Sequence, residues 1–155
     1  MNAHIVKAKS IFPFLLILIC SIPAFSCADT DKPSNAHMKE AEQFNTLGES
    51  YYNQRKFQEA VDAYKQAISV NPYDADAHYN LGLAYRASGK KGEASDAYKQ
   101  LIRIKPNDYN AHYDLGMTYL HLDNTDSALD QYTILKDLNK DLANTLFNEI
   151  GSHSK

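Results

Sequence analysis

The sequence predicts an all-α protein, a stack of three helical hairpins closed by one capping helix. Three observations predict it: a skeleton that repeats every 34 residues, helical spacing of apolar residues within each half-repeat, and helix-ending residues at the repeat boundaries. The first copy reads Phe44, Leu47, Gly48, Tyr51, Ala60, Tyr64, Ala67, Pro72. The second reads His78, Leu81, Gly82, Tyr85, Ala94, Tyr98, Leu101, Pro106, and the third reads His112, Leu115, Gly116, Tyr119, Ala128, Tyr132, Leu135 before ending on Lys140.

Each element follows from this frame. Phe44, Leu47, Gly48 and Tyr51 fall at the i, i+3, i+4, i+7 spacing of one helix face. Phe57, Ala60, Val61, Tyr64, Ala67 and Ile68 do the same in the second half, until Pro72 removes a backbone donor and restricts its predecessor. Gly48, Gly82 and Gly116 lie inside helices, where glycine costs about 1 kcal/mol relative to alanine. A close approach of the partner helix is the expected reason, with Ala60, Ala94 and Ala128 on the facing side and the tyrosines filling the space between hairpins. Bulk at Gly82, as in Gly82→Val, should then destabilise by roughly 1 to 3 kcal/mol. Asp74 and Asp108 stand at N-cap positions.

The third repeat departs most from the pattern. Lys140 replaces the proline, and the turn 122–125 lacks the glycine that Gly89 supplies before, so a longer or kinked final helix running nearly unbroken into the cap is expected. Residues 141–150 carry Leu142, Leu146, Phe147 and Ile150 as the stripe of that cap, with Gly151 placed to end it and 151–155 as a polar tail.

These offsets of a large residue, Leu-Gly, Tyr, Ala, an aromatic and Pro resemble the tetratricopeptide repeat, in one ungapped frame. The resemblance implies a right-handed solenoid over 39–150, with repeats 41–74, 75–108 and 109–142 and a cap at 141–150. It also implies a concave face made by the first helix of each hairpin. That face is rotated roughly 130° from the packed one, at about 100° per residue. It holds Asn45, Glu49, Tyr52 and Asn53, then Tyr79, Leu83 and Arg86, then Tyr113, Met117, Leu120 and His121. The family's groove for a chain terminus grips two carboxylates with Lys, Asn and Arg. Here the matching faces carry Asn45, Glu49, Tyr79, Asn80, Leu83, Asn110 and Asp114, with only Arg86 basic, so such a ligand does not fit. An aromatic and aliphatic groove instead suits a helix or an extended segment of another protein.

The chain before the repeats is of another kind. Residues 1–9 carry Lys7 and Lys9 and no acid, and 11–25 form an apolar run interrupted by Pro13, Cys20, Ser21 and Pro23, the layout of a secretory signal peptide over 1–27. A spanning helix needs about 20 apolar residues, which this run does not supply. Two endings fit. Ala24-Phe25-Ser26 before Cys27 resembles a lipobox, making Cys27 a diacylated first residue and tethering the protein to a membrane by lipid; alternatively Ser26-Cys27-Ala28 suits an ordinary signal peptidase. Either places the protein in a bacterial cell envelope or periplasm. Residues 28–38 read as a flexible tether.

Both cysteines, Cys20 and Cys27, belong to the leader, so the repeats carry no disulfide. The formal charge is −3; of 16 bases, Lys7 and Lys9 leave with the leader, so 14 bases face 19 acids. With no clustered Lys or Arg, nucleic acid is not an expected partner. His37, His78, His112, His121 and His153 lack metal-ligand spacing, and His78 and His112 occupy the slot of Phe44 as half-buried packing residues. Gly82, Gly89 and Gly92 are too spread for a phosphate loop. No catalytic residue, cofactor or metal is predicted. The function expected is protein binding in the groove, with self-association or docking into a secretion, pilus or outer-membrane assembly as the alternative.

Overall fold

A computed structural model describes residues 34–153. The leader over 1–27 with Cys27, most of the tether and the end of the tail lie outside the described residues. Seven helices follow in order among the described residues: α1 (Asn35–Asn53), α2 (Phe57–Val70), α3 (Ala75–Ala87), α4 (Lys91–Ile104), α5 (Tyr109–Leu120), α6 (Thr125–Leu138) and α7 (Lys140–His153). The first six pair as hairpins, α1 with α2, α3 with α4 and α5 with α6. Each second helix also packs on the next first helix, and α7 contacts both α5 and α6. The all-α repeat architecture read from the 34-residue frame is the one observed. Helix α1 begins at Asn35, capped by the Ser34 hydroxyl, so 35–38 is helical rather than tether.

The hairpin turns carry the period in their backbone. Arg55, Gly89 and Asp123, 34 residues apart, have φ of 61°, 79° and 57°. In each turn the following amide bonds five residues back, Lys56 to Tyr51, Lys90 to Tyr85 and Asn124 to Tyr119, all at 2.9 Å. That is the Schellman closure of a helix end. The third turn forms without glycine because Asp123 takes the left-handed conformation, which a short polar side chain tolerates.

The core places the helical glycines against other residues than expected. A Cβ on Gly48 would meet the Tyr64 ring at 2.5 Å, and one on Gly82 the Tyr98 ring at 2.5 Å, so it is the tyrosine of the second helix, not the alanine, that lies over the glycine. Ala60, Ala94 and Ala128 are wholly buried nearby. At Gly116 the nearest atom is instead Leu146 Cδ2 of α7 at 2.6 Å, while Tyr132 has moved out against Phe147, ring centres 5.1 Å apart. The cap thus supplies the plug that the repeat's own tyrosine supplies elsewhere.

The expected run-through from α6 into α7 does not occur. Asn139 is extended (φ −156°, ψ 101°), and its side chain accepts from Asp141 N at 3.1 Å and Leu142 N at 3.2 Å. One asparagine therefore ends α6 and caps α7 without a proline, where four residues join α2 to α3 and α4 to α5. Gly151 does not end α7, which continues to His153. His78 and His112 are more deeply placed than half-buried, at 8% and 3% exposure. Each Nε2 donates to the carbonyl of the preceding repeat's proline, His78 to Pro72 at 3.0 Å and His112 to Pro106 at 2.8 Å, and so fastens one repeat to the next.

Candidate binding groove

The first helices α1, α3 and α5 present the residues predicted for the inner face, and the structure sorts them into three groups. Asn45 and Leu120 belong to the framework. The Asn45 amide donates to Asp74 Oδ2 at 2.8 Å, tying α1 to the cap of α3, whose other carboxylate oxygen accepts from Asp76 N and Ala77 N at 3.1 Å each. Leu120 is 3% exposed and packs with Ala128, Leu135 and Leu146, so it is core and not groove. Its helical phase places it between α5 and the cap.

A second group forms an internal polar lock. Asp114, almost fully buried, accepts from Tyr79 Oη at 2.9 Å and from Arg86 at 2.6 Å, joining α3 to α5. Arg86 is therefore committed within the chain and is not the free base of the groove. The Tyr98 hydroxyl, wholly buried, has no hydrogen-bond partner among the described residues and lies in the field of this pair. Burial first, then Asp114, pushes the Tyr98 hydroxyl far up; the same two causes push Tyr79 up to about 12.

The third group faces outward. Leu83, Tyr113 and Met117 are half-buried, and the last two lean on the cluster that α7 closes, so the curve of the array covers part of each and leaves the rest open. Glu49 and Asn53 are exposed, and His121 is exposed at the end of α5, its carbonyl accepting from Lys91 at 3.0 Å. Between α1 and α3 lies a recess of about 240 Å³ lined by Glu49, Tyr52, Asn53, Tyr64, Asn80 and Leu83. Tyr52 is held there by its edge-on contact with Phe57, ring centres 5.4 Å apart. Sequence reasoning missed Tyr64 as a lining residue because its place in the repeat skeleton marks it as core.

Among the described residues no three or more His, Cys, Asp and Glu side chains cluster to hold a metal ion, and no helix is long and apolar enough to cross a membrane.

Stacked hairpins with a laterally open inner face and a polar seam between repeats define a helical-repeat interaction module. Models described as tetratricopeptide repeat match residues 45–109 and 97–130, and the chain belongs to that family. A crystal structure of MamA is similar at 32% identity and TM-score 0.63, over 67% of this chain and 61% of that one. The chain thus spans 61% of the length of that MamA chain. The first TPR of Spaghetti (RPAP3) bound to the HSP90 peptide SRMEEVD shares the fold at 20% identity and TM-score 0.69, over 74% of this chain and 93% of that one. The Arabidopsis OM64 TPR domain does so at 18% identity and TM-score 0.69, over 76% and 98%. No curated protein matches the chain.

Proposed function

We propose that this protein is an adaptor of the bacterial cell envelope, a protein-interaction module whose inner face holds a peptide or helical segment of another protein. The observation that carries this reading is the half-open row Leu83, Tyr113 and Met117 on α3 and α5, of which Leu83 also lines the recess between α1 and α3. Apolar side chains left part-covered along one face suit a partner that completes their burial. Three first helices spaced about 8 to 10 Å apart span on the order of 20 Å, which an extended segment crosses in about six residues. Affinity in the micromolar class fits so short a track. The pattern of residues 1–27 supports export, with Cys27 lipidated in one of its two endings.

A second reading rests on a different surface. Leu122, Leu129, Ile134 and Phe147, all exposed at the C-terminal end, suit self-association or docking into a larger assembly. Crosslinking and pull-down from the native host, with tagged full-length parent and with a Leu83→Ala, Tyr113→Ala, Met117→Ala variant of unchanged helicity, separates the two. Loss of the captured partner in the variant supports the groove. Retention in that variant, together with loss in Ile134→Asp, Phe147→Asp, supports the assembly reading and overturns the groove. Mass spectrometry of the mature N-terminus decides whether Cys27 is kept and acylated.

A further inference from the structure

The 34-residue register makes the molecule its own comparison. Glu49, Tyr52, Tyr64 and Asn80, around the recess between the first two hairpins, correspond to Leu83, Arg86, Tyr98 and Asp114 between the second and third. At the second position the chain supplies its own cation, Arg86, which pairs with Asp114 at 2.6 Å, and the buried Tyr98 hydroxyl lies in the field of both. At the first position the acid is present but the cation is not: tyrosine stands where arginine stood, and the carboxylate has moved from α3 to α1 as Glu49.

We propose that the recess lined by Glu49, Tyr52, Tyr64 and Asn80 is a subsite for a lysine or arginine side chain carried by the partner segment. Glu49 makes no hydrogen bond or ion pair among the described residues, and it faces an open space of about 240 Å³. Tyr64 is 2% exposed, yet it lines that space, and its hydroxyl has no hydrogen-bond partner among the described residues. Glu49 and Tyr64 line the same recess, and burial, then the Glu49 charge, pushes the Tyr64 hydroxyl up. A carboxylate, two tyrosine oxygens and the Asn80 amide together offer acceptors to a guanidinium or ammonium group, and the Tyr52 ring, fixed by Phe57, offers it an electron-rich face. The wider field has the same sign. Of 16 bases and 19 acids, Lys7, Lys9, Lys32, Lys155, Asp29 and Asp31 fall outside 34–153, leaving 12 bases against 17 acids. An acidic surface attracts a basic segment and repels the acidic tails that a basic clamp would hold.

The inference rests on the interaction reading above, and two experiments on the full-length chain separate their fates. In the first, N-acetyl-arginine methylamide, its lysine counterpart and the neutral citrulline analogue are titrated while backbone amide shifts are followed by NMR. Saturable shifts at Glu49, Asn53, Asn80 and Leu83 with the two cations, absent with citrulline and weakened about three- to five-fold in Glu49→Gln, are expected. Equal shifts with citrulline, shifts spread over the surface, or no change in Glu49→Gln would overturn the subsite. In the second, random peptides are selected on the parent and on Glu49→Gln. Enrichment of one basic position on the parent alone supports the subsite. Enrichment of peptides without a basic position overturns it and leaves the groove standing, and the failure of any peptide to enrich overturns the groove reading itself.

Discussion

Alanine at Gly82 is the smallest change that tests the packing at the centre of each hairpin. Its Cβ would sit 2.5 Å from Tyr98 Cε1 and 2.8 Å from both Cδ1 and Cζ. Carbon atoms rest at about 3.5 to 4.0 Å, so the ring would have to retreat by about 1 Å. Tyr98 is fully buried against Tyr79, with the charges of Arg86 and Asp114 acting on its hydroxyl, so the ring has little room to retreat. Overpacking of this kind costs about 1 to 3 kcal/mol, and replacing a helical glycine returns about 1, so a net loss of up to about 2 kcal/mol is expected. Gly82→Val gives back less and loses more. Urea unfolding followed by helical circular dichroism at 25 °C measures the loss, which corresponds to a melting shift of roughly 4 °C per kcal/mol. Gly92→Ala, with nothing within 4 Å of the added carbon, is the control and should hold or gain stability. Gly116→Ala should cost less than Gly82→Ala, because the nearest atom there is the methyl end of Leu146. Pairing Gly82→Ala with Tyr98→Leu should recover part of the loss relative to the sum of the single changes. A Gly82→Ala protein more stable than the parent, or additive behaviour in that pair, refutes the account of Gly82 as a seat for Tyr98.

Three further outcomes follow from the same structure. Asn139→Ala removes the side-chain acceptor for Asp141 N and Leu142 N and should cost about 1 kcal/mol, with faster amide exchange at those two positions. Arg55→Gly relieves a left-handed φ of 61° and should stabilise by a few tenths to about 1 kcal/mol, whereas Gly89→Ala, at φ 79°, should destabilise by a similar amount; thermal melts of both check the sign. Alkali should unfold the protein: Tyr64, Tyr79 and Tyr98 hold their protons more tightly when folded, Tyr79 to about 12 against an ordinary 10. The unfolded chain loses those protons first, so their contribution is complete below pH 10 and is lost as pH rises from 10 through 12. Absorbance titration at 295 nm should show late-titrating tyrosines coinciding with the loss of helix, and Tyr98→Phe should make the pH dependence shallower.

The hairpins were legible in the sequence because they rest on local spacing repeated three times: Leu-Gly, Tyr, Ala and Tyr mark each helix pair, and Pro72 and Pro106 mark two of the boundaries. The third boundary was not legible, since proline is only one way to stop a helix, and Asn139 does so through backbone conformation and its own cap. The groove was legible as a face but not as a set of free side chains. Leu120 has the phase of the inner face yet is covered by α7, and Arg86 is a lone base in sequence but an internal partner of Asp114, a contact across 28 residues. What did carry that information was the register itself: comparing Tyr52 with Arg86 and Asn80 with Asp114 shows where the chain fills its own space and where it leaves it open.

The joint at Asn139 also sets a limit on growth. With one connecting residue where the other repeats use four, three connector positions become the first turn of α7, which starts at Lys140 where the 34-residue frame would start it at Ala143. Lengthening the stack by a hairpin of the same kind therefore means giving this joint the four-residue connector of the other repeats before adding anything beyond it.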